Sequence, residues 1–521
     1  MNLFERETLM KQLEIIQTWD VIVIGGGATG LGIALDSVTR GFKTLLLEQY
    51  DFAKGTSSKS TKLAHGGVRY LAQGDISLVR EALFERGLML RNAPHIVKNQ
   101  SFIIPNYRRW DEIQYTVGLK AYDFLAGNLS LGKSQRINPK ETYSRLNTVK
   151  KENLKGGVLY YDGQFDDSRL AVNIAQTCIE KGATVLNHFK VKALTKENGM
   201  VSGVTAIDTE TDNSFTFSSK TIINATGVLT DDILTMDIQN AKKTVRPSQG
   251  VHLVIDKSFL PGNDAIMIPK TSDGRVLFLV PWHNKVVLGT TDTLLEKASI
   301  EPIALEQEVD FILATANLYL TKKVTRKDVR SIYAGLRPLA APKDGSEKTK
   351  EISRSHKVIV SESGLISVIG GKWTTYRRMA QDTIDKAMKL GKLPHIKCKT
   401  KELKIHGACN HVDRSHPLHI YGSDRENIES LILVSPELRQ RIHPNLQYTR
   451  AEVVWAIRNE MARTVEDILA RRVRILFLDA RAAIEAAPTV AKILAKELNK
   501  SDEWKQKEIV DFNMVAMHYV L

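Results

Sequence analysis

The stretch Asp20-Val-Ile-Val-Ile-Gly-Gly-Gly-Ala-Thr-Gly30 constrains the fold of this chain more than any other. Gly25, Gly27 and Gly30 form a G-x-G-x-x-G pattern directly after an apolar strand, and the chain then opens into an Ala- and Leu-containing helix. The first glycine makes the tight turn, the second admits the backbone to a pyrophosphate, and the third lets the helix pack on the strand. The helix N-terminus then presents N–H groups and a positive dipole end to the anion. A second strand, Lys43–Glu48, ends in an acid 23 residues after Gly25. That is where a carboxylate accepts hydrogen bonds from an adenosine ribose. Strand, turn, helix and acid together predict a nucleotide site, and the ribose acid points to FAD or NAD rather than NADP.

Residues 53–74 choose between those two. Glycines, hydroxyls and the bases Lys54, Lys59, Lys62 and Arg69 crowd this stretch, and no acid occurs between Asp51 and Asp75. Leu63, His65 and Tyr70 fall among the glycines, which a solvated polar loop does not require. Such a loop suits a phosphate-bearing ligand. A flavoprotein must cover a cofactor that runs from adenine to isoalloxazine, whereas a nicotinamide dehydrogenase has no use for this segment. Thr221–Gly227 ends a strand in small residues that allow close backbone approach. Leu365–Tyr376 reads as a strand, a Gly-Gly turn and a helix whose N-terminus stabilises negative charge on a reduced flavin.

The pattern predicts a short amphipathic helix over residues 1–18, then alternating strands and helices to about residue 395. Predicted strands include Asp20–Ile24, Lys43–Glu48, Thr184–Asn187, Val201–Asp208, Thr221–Asn224, Val276–Val280, Val286–Gly289 and Leu365–Ile369. Several alternate in polarity and lie close together, as antiparallel strands do. The fold class expected is mixed α/β: a Rossmann-like FAD-binding domain interleaved with an antiparallel-sheet substrate domain over 1–395, and a C-terminal α-helical domain over 396–521. Helical periodicity is clearest in Glu452–Leu478 and Ala480–Leu498.

Composition bears on partners. The 521 residues carry a formal net charge of +14, of which +11 falls in residues 1–395 and +3 in 396–521. This excess favours anionic ligands or surfaces. Nucleic acid is not expected, because aromatics are only 7% and the bases are interleaved with acids outside 53–74. No apolar run reaches the roughly 18 residues of a membrane span. The first residues have acids among their bases and no apolar core, so no signal peptide is read there. Cys178, Cys398 and Cys409 are too scattered for a disulfide framework or a metal site, and read as free thiols in a reducing compartment. The reading is of a soluble, intracellular, basic protein.

With these residues in view, the chain resembles FAD-dependent glycerol-3-phosphate dehydrogenase. The motifs are GGGATG at 25–30, TSSKSTKLAHGGVRYL at 56–71, NATG at 224–227, GLRPL at 335–339 and GGKWTTYR at 370–377, with the helical stretch Val453–Asp479. The resemblance implies a D-amino-acid-oxidase-like fold and oxidation of sn-glycerol 3-phosphate to dihydroxyacetone phosphate. It also implies electron transfer from FAD to a membrane quinone, a cytoplasmic location with peripheral attachment to the membrane, and room for a homodimer. For the cofactor it implies Gly25, Gly27, Ala28, Thr29, Gly30, Glu48, Thr56, Ser57, Ser58, Lys62, Leu63, His65, Gly66, Gly67, Val191, Ala225, Thr226, Gly227, Gly371, Lys372, Trp373 and Thr374. For the substrate it implies Arg69, Tyr70, His252, Arg337 and Lys372, with His65, Arg337 and His252 at the chemistry.

A secondary alcohol that loses hydride also loses a proton, so a base is needed; of the two motif histidines, His65 and His252, His65 is favoured by its place in the flavin-covering loop, with an Arg-activated water as the alternative. Two departures stand out: Val228-Leu229 where the family commonly has Pro-Trp, and Gln249 where it usually has Lys. The nearest rival is glycerol-3-phosphate oxidase, which passes electrons to oxygen; it tends to carry an insertion that this chain is too short to include. Arg6–Gln17, Arg108-Arg109 and Lys322-Lys323 are the candidates for contact with anionic lipid.

Overall fold

The computed structural model describes residues 2–67, 74–272, 274–341 and 356–521. Its first sheet follows from the glycine-flanked apolar strand. Thr18–Ile24 lies at the middle, parallel to Thr44–Leu47 on one side and Ser214–Asn224 on the other. Ile366–Ile369 and Thr184–Leu186 extend the parallel set, and Lys357–Val360 adds an antiparallel edge. Val21–Ile24 is buried throughout, as a parallel strand covered on both faces must be. The helix Ala28–Thr39 packs against Tyr376–Leu390 and Asp167–Glu180. The antiparallel pair Phe189–Glu197 and Met200–Asp208 is attached through Ser214–Asn224.

The second sheet runs Thr293–Leu294, Val245–Asp256, Lys285–Gly289, Leu277–Trp282, Ala265–Ile268, Val97–Asn106, Gly156–Phe165, Leu63–Ala64, with Val329–Ala340 paired to Val245–Asp256. Its pairings are antiparallel apart from Ala265–Ile268 against Val97–Asn106. The predicted strands are therefore present to within a few residues, and the interleaved α/β organisation is observed. Beyond Ile369 no strand is assigned among the described residues. Arg425–Val434, Arg450–Asn459, Ala480–Glu497 and Asp502–Ala516 belong to a C-terminal helical domain, and a core including Ile468, Leu469, Phe477 and Val490 joins it to Tyr333 and Trp282 of the sheet.

One predicted helix is corrected. Glu452–Leu478 is not continuous: Arg450–Asn459 stops, Met461 turns left-handed, and a π-helical turn follows at Asp467–Arg472. The break is made by long-range ion pairs. Glu460 is bound by Arg169, and Asp467 by His188 at 3.0 Å. The interruption turns three arginines back toward the first sheet. Arg471 and Arg472 both reach Asp51, at 2.6 and 2.7 Å, and Arg474 reaches Asp167 at 3.0 Å.

Candidate active site

At the carboxyl end of Thr18–Ile24, Gly25 adopts φ +108°, and a Cβ there would lie 2.7 Å from the Ala225 carbonyl oxygen. The Gly25 amide donates to Leu47 O at 2.9 Å, which ties the turn to the neighbouring strand. Gly27 begins the helix Ala28–Thr39, and the Ala28 amide donates to Ser57 Oγ at 2.9 Å. Glu48 is held by two backbone donors, Gly26 N at 2.6 Å and Tyr50 N at 2.8 Å. Burial raises its carboxyl pKa above the ordinary value, against those two hydrogen bonds.

From Glu48 a cavity of about 710 Å³ runs past this turn to Arg337 and His252. The flavin-covering loop forms one wall. Thr56 Oγ1 donates to Leu336 O at 2.5 Å, and the Trp373 indole N–H donates to Ser57 O at 2.8 Å. At the far end Arg337 donates to Asp292 at 3.2 Å and to Thr291 O at 3.0 Å. His252 is buried; its Nε2 pairs with Thr61 Oγ1 at 2.8 Å, and its ring stacks on Tyr333 at 4.8 Å. Among the described residues its Nδ1 has no hydrogen-bond partner. Burial, then the cations Lys62 and Arg337, hold its pKa well below the ordinary histidine value, so the imidazole is neutral. A second cavity of about 190 Å³ adjoins the first through Thr61, Leu63, His65 and Arg337.

Glycine backbones at the strand end, an acid poised at the ribose position, and an elongated volume that reaches Arg337 and His252 fit a dinucleotide with a small anionic substrate beside it. Comparison with known proteins agrees. The family described as FAD dependent oxidoreductase matches residues 20–377, and the C-terminal domain of alpha-glycerophosphate oxidase matches 364–505. "Probable glycerol-3-phosphate dehydrogenase, mitochondrial" of Caenorhabditis elegans is 39% identical, over 97% of this chain and 74% of its own length. Its counterpart in Schizosaccharomyces pombe is 37% identical over 96% and 88%. The chain belongs to the FAD-dependent glycerol-3-phosphate dehydrogenase family. The solved glycerol-3-phosphate dehydrogenase of Bacillus halodurans complexed with FAD superposes with a TM-score of 0.82 at 29% identity, covering 100% of this chain and 98% of that one. An FAD-bound α-glycerophosphate oxidase of Mycoplasma pneumoniae shares the fold at TM-score 0.57 and 15% identity, over 75% and 99%.

In this family member the large cavity brings together Gly25, Gly27, Ala28, Thr29, Glu48, Thr56, Ser57, Leu63, His65, Val191, Ala225, Thr226, Gly227, His252, Arg337, Gly371, Lys372, Trp373 and Thr374. Five of the predicted cofactor residues do not line it. Gly30 packs against Gly25, and Ser58 is buried behind the loop. Gly66 is packed on Tyr122 and Leu83, and Gly67 faces the smaller cavity. Lys62 is the clearest correction: its ammonium turns away from the cavity, to Asp167 at 2.8 Å and Ser58 O at 2.6 Å. Arg69 and Tyr70 lie outside the described residues.

Gln249 is also placed away from the cavity. Strand alternation gives Gly250 and His252 to the cavity and turns Gln249 to Glu308, at 2.7 Å. Val228 and Leu229 do line it. Arg275 and Thr290–Asp292 line the smaller cavity and went unread. The second group had a legible signal: Gly289-Thr-Thr-Asp292 ends a strand in small and hydroxyl residues, as Asn224–Gly227 does.

Proposed function

We propose that the chain oxidises sn-glycerol 3-phosphate at C2 to dihydroxyacetone phosphate, with FAD along the large cavity and a membrane quinone as final acceptor. The supporting observation is the continuity of that cavity from Glu48, past the Gly25–Gly27 turn, to His252 and Arg337. Glu48 takes the ribose hydroxyls, the amides at the start of Ala28–Thr39 take the pyrophosphate, and Trp373–Thr374 with Lys372 line the ring end. FAD, when bound, supplies the hydride acceptor.

Arg337 and Arg275 take the substrate phosphate, Arg because its planar fork binds two oxygens at once. Asp292 and the Thr291 carbonyl hold the Arg337 guanidinium in place. His65 takes the C2 hydroxyl proton, and the neutral His252 accepts a hydrogen bond from the neighbouring C1 hydroxyl and so orients the reacting carbon. The buried loop and the C-terminal domain keep water from the reacting carbon. His65→Ala is expected to lower the rate constant for anaerobic flavin reduction about a hundredfold, with little change in substrate affinity. Reduction at the normal rate in that variant would remove His65 from the mechanism.

The test of the whole reading is bleaching of the yellow holoprotein by glycerol 3-phosphate without oxygen, then reoxidation by a soluble quinone. Rapid reoxidation by oxygen instead identifies the oxidase. The division of the chain at 395/396 belongs to the same proposal, supported by the end of the sheet-packing helix Tyr376–Leu390 just before it.

Among the described residues no helix is long and apolar enough to cross a membrane. A peripheral contact is supported instead by Arg109–Ala126. Trp110, Ile113, Val117 and Phe124 share one narrow stripe of this helix, and Trp110 and Phe124 are 82% and 86% exposed. Arg108 and Lys120 are exposed beside them. An apolar stripe rimmed by cations suits the head-group region of an anionic, cytoplasm-facing bilayer. Arg6, by contrast, is bound inward to Asp208 at 2.7 Å. Trp110→Ser combined with Phe124→Ser is expected to weaken partition into phosphatidylglycerol vesicles by about tenfold or more, with flavin content unchanged. Equal co-sedimentation of variant and parent would rule this helix out.

A further inference from the structure

Lys62 presents a problem that cofactor binding does not solve. It is fully buried, its ammonium touches Asp167 and the Ser58 carbonyl, and three rings surround it: Trp282 at 5.2 Å, Tyr333 at 5.0 Å and Phe477 at 5.1 Å. Arg474 shares Asp167 and lies 4.3 Å over Phe477. Two cations thus crowd one carboxylate, with Asp166 3.6 Å from Arg474. A fully buried lysine is rare. If packing were the only need, an apolar side chain of similar length would meet it at lower cost. The aromatic faces offset part of that cost through their quadrupoles.

The box lies directly behind the substrate end of the cavity. Tyr333, one of its walls, donates its hydroxyl to Ser60 O at 3.1 Å and stacks on His252 with an interplanar angle of 16°. We propose that Lys62 is a positioning residue for His252: its buried ammonium, clamped by the C-terminal segment, steadies the Tyr333 ring on which the imidazole stacks and keeps a proton off that imidazole. This rests on the reading of His252 as a neutral acceptor for the substrate C1 hydroxyl. The groups around His252 agree on the sign. The loop 59–62 contributes Lys62 and the neutral Thr61; Val329–Ala340 contributes Tyr333 and Arg337, the latter balanced by Asp292; Lys285–Gly289 contributes only Gly289. Charged or titratable groups behind the box are Asp167, Asp166 with its partner His283, and Arg474. Burial lowers the Lys62 pKa to about 7, so its charge is present on the acid side of neutrality, where a histidine would otherwise take a proton.

The test compares wild type with Lys62→Met in two measurements. The first is the anaerobic rate constant for flavin reduction at saturating glycerol 3-phosphate, taken as the variant-to-wild-type ratio so that substrate ionisation cancels. Near pH 8.5 the ratio is expected close to one; near pH 5 it falls about threefold as His252 takes up a proton. A uniform loss at every pH is the mark of a structural residue and overturns the proposal. The second is the NMR titration of His252 in the histidine-labelled holoprotein, assigned with His252→Asn. Its midpoint is expected to rise in the variant by about one pH unit.

An unchanged midpoint overturns the proposal whatever the activity. A shifted midpoint in a protein that glycerol 3-phosphate does not bleach leaves the proposal standing and removes the functional reading. Should Lys62→Met fail to fold, Lys62→Gln removes the charge while keeping an N–H donor for Asp167 and carries the same expectations. A wild-type His252 that titrates at or above about 6.5 overturns the proposal with no variant at all.

Discussion

Gly30→Ala is expected to purify without flavin. A Cβ at this position would sit 1.8 Å from the Gly25 carbonyl oxygen, a backbone atom of the turn that faces the cofactor. No side-chain rearrangement relieves that contact; the helix Ala28–Thr39 must move off the strand or the turn must open. Either movement displaces the helix N-terminus from the position that a pyrophosphate requires. The measurement is the ratio of visible to ultraviolet absorbance after gel filtration, and then after FAD is added back. Gly118→Ala is the control: Gly118 likewise lies within a helix, Arg109–Ala126, and nothing lies within 4 Å of its Cβ position. Normal flavin content in Gly30→Ala would show that the glycine turn does not govern cofactor retention.

The second large effect concerns stability. Arg472 is fully buried, and its guanidinium donates to Asp51 at 2.7 and 2.9 Å and to the Glu460 carbonyl at 2.7 Å. Arg472→Met leaves Asp51 with Arg471 and the Asn187 side-chain amide. Removing one partner of a buried pair costs about 3–5 kcal/mol, most of it the desolvation of the charge left behind. Thermal unfolding followed by flavin fluorescence is expected to fall by several degrees. Asp51 lies at the entrance of the cofactor loop, so flavin release is expected to precede global unfolding. Melting unchanged within a degree would mean that water reaches Asp51 and that the cluster is not as dry as its burial indicates.

Much of the cofactor site was legible because it rests on local rules. A glycine turn after an apolar strand, and an acid at the end of the next strand, need only a few residues of context. The elements themselves were legible for the same reason: Thr184–Leu186 and Lys285–Gly289 are short apolar runs with clear boundaries. What escaped depends on residues far apart. Lys62 sits among glycines and hydroxyls that do line the cavity, and only the fold shows that its side chain crosses the loop to Asp167. The break within Glu452–Leu478 is invisible to periodicity, because Glu460 and Asp467 act through partners about 280–290 residues away, Arg169 and His188. Gln249 is a middle case. Its alternation with Gly250 and His252 was available in the sequence, and that alternation alone assigns it to the face away from the substrate.

The clamp behind the cofactor loop also imposes an order of events during synthesis. Asp51 and Arg472 are 421 residues apart. At roughly 5–20 residues per second, the loop waits tens of seconds on the ribosome before its last supports emerge. The nascent strand and glycine turn therefore precede, by tens of seconds, the arginines that hold the neighbouring loop. Firm retention of FAD is therefore expected to follow the synthesis of Arg471 and Arg472 rather than that of the glycine turn.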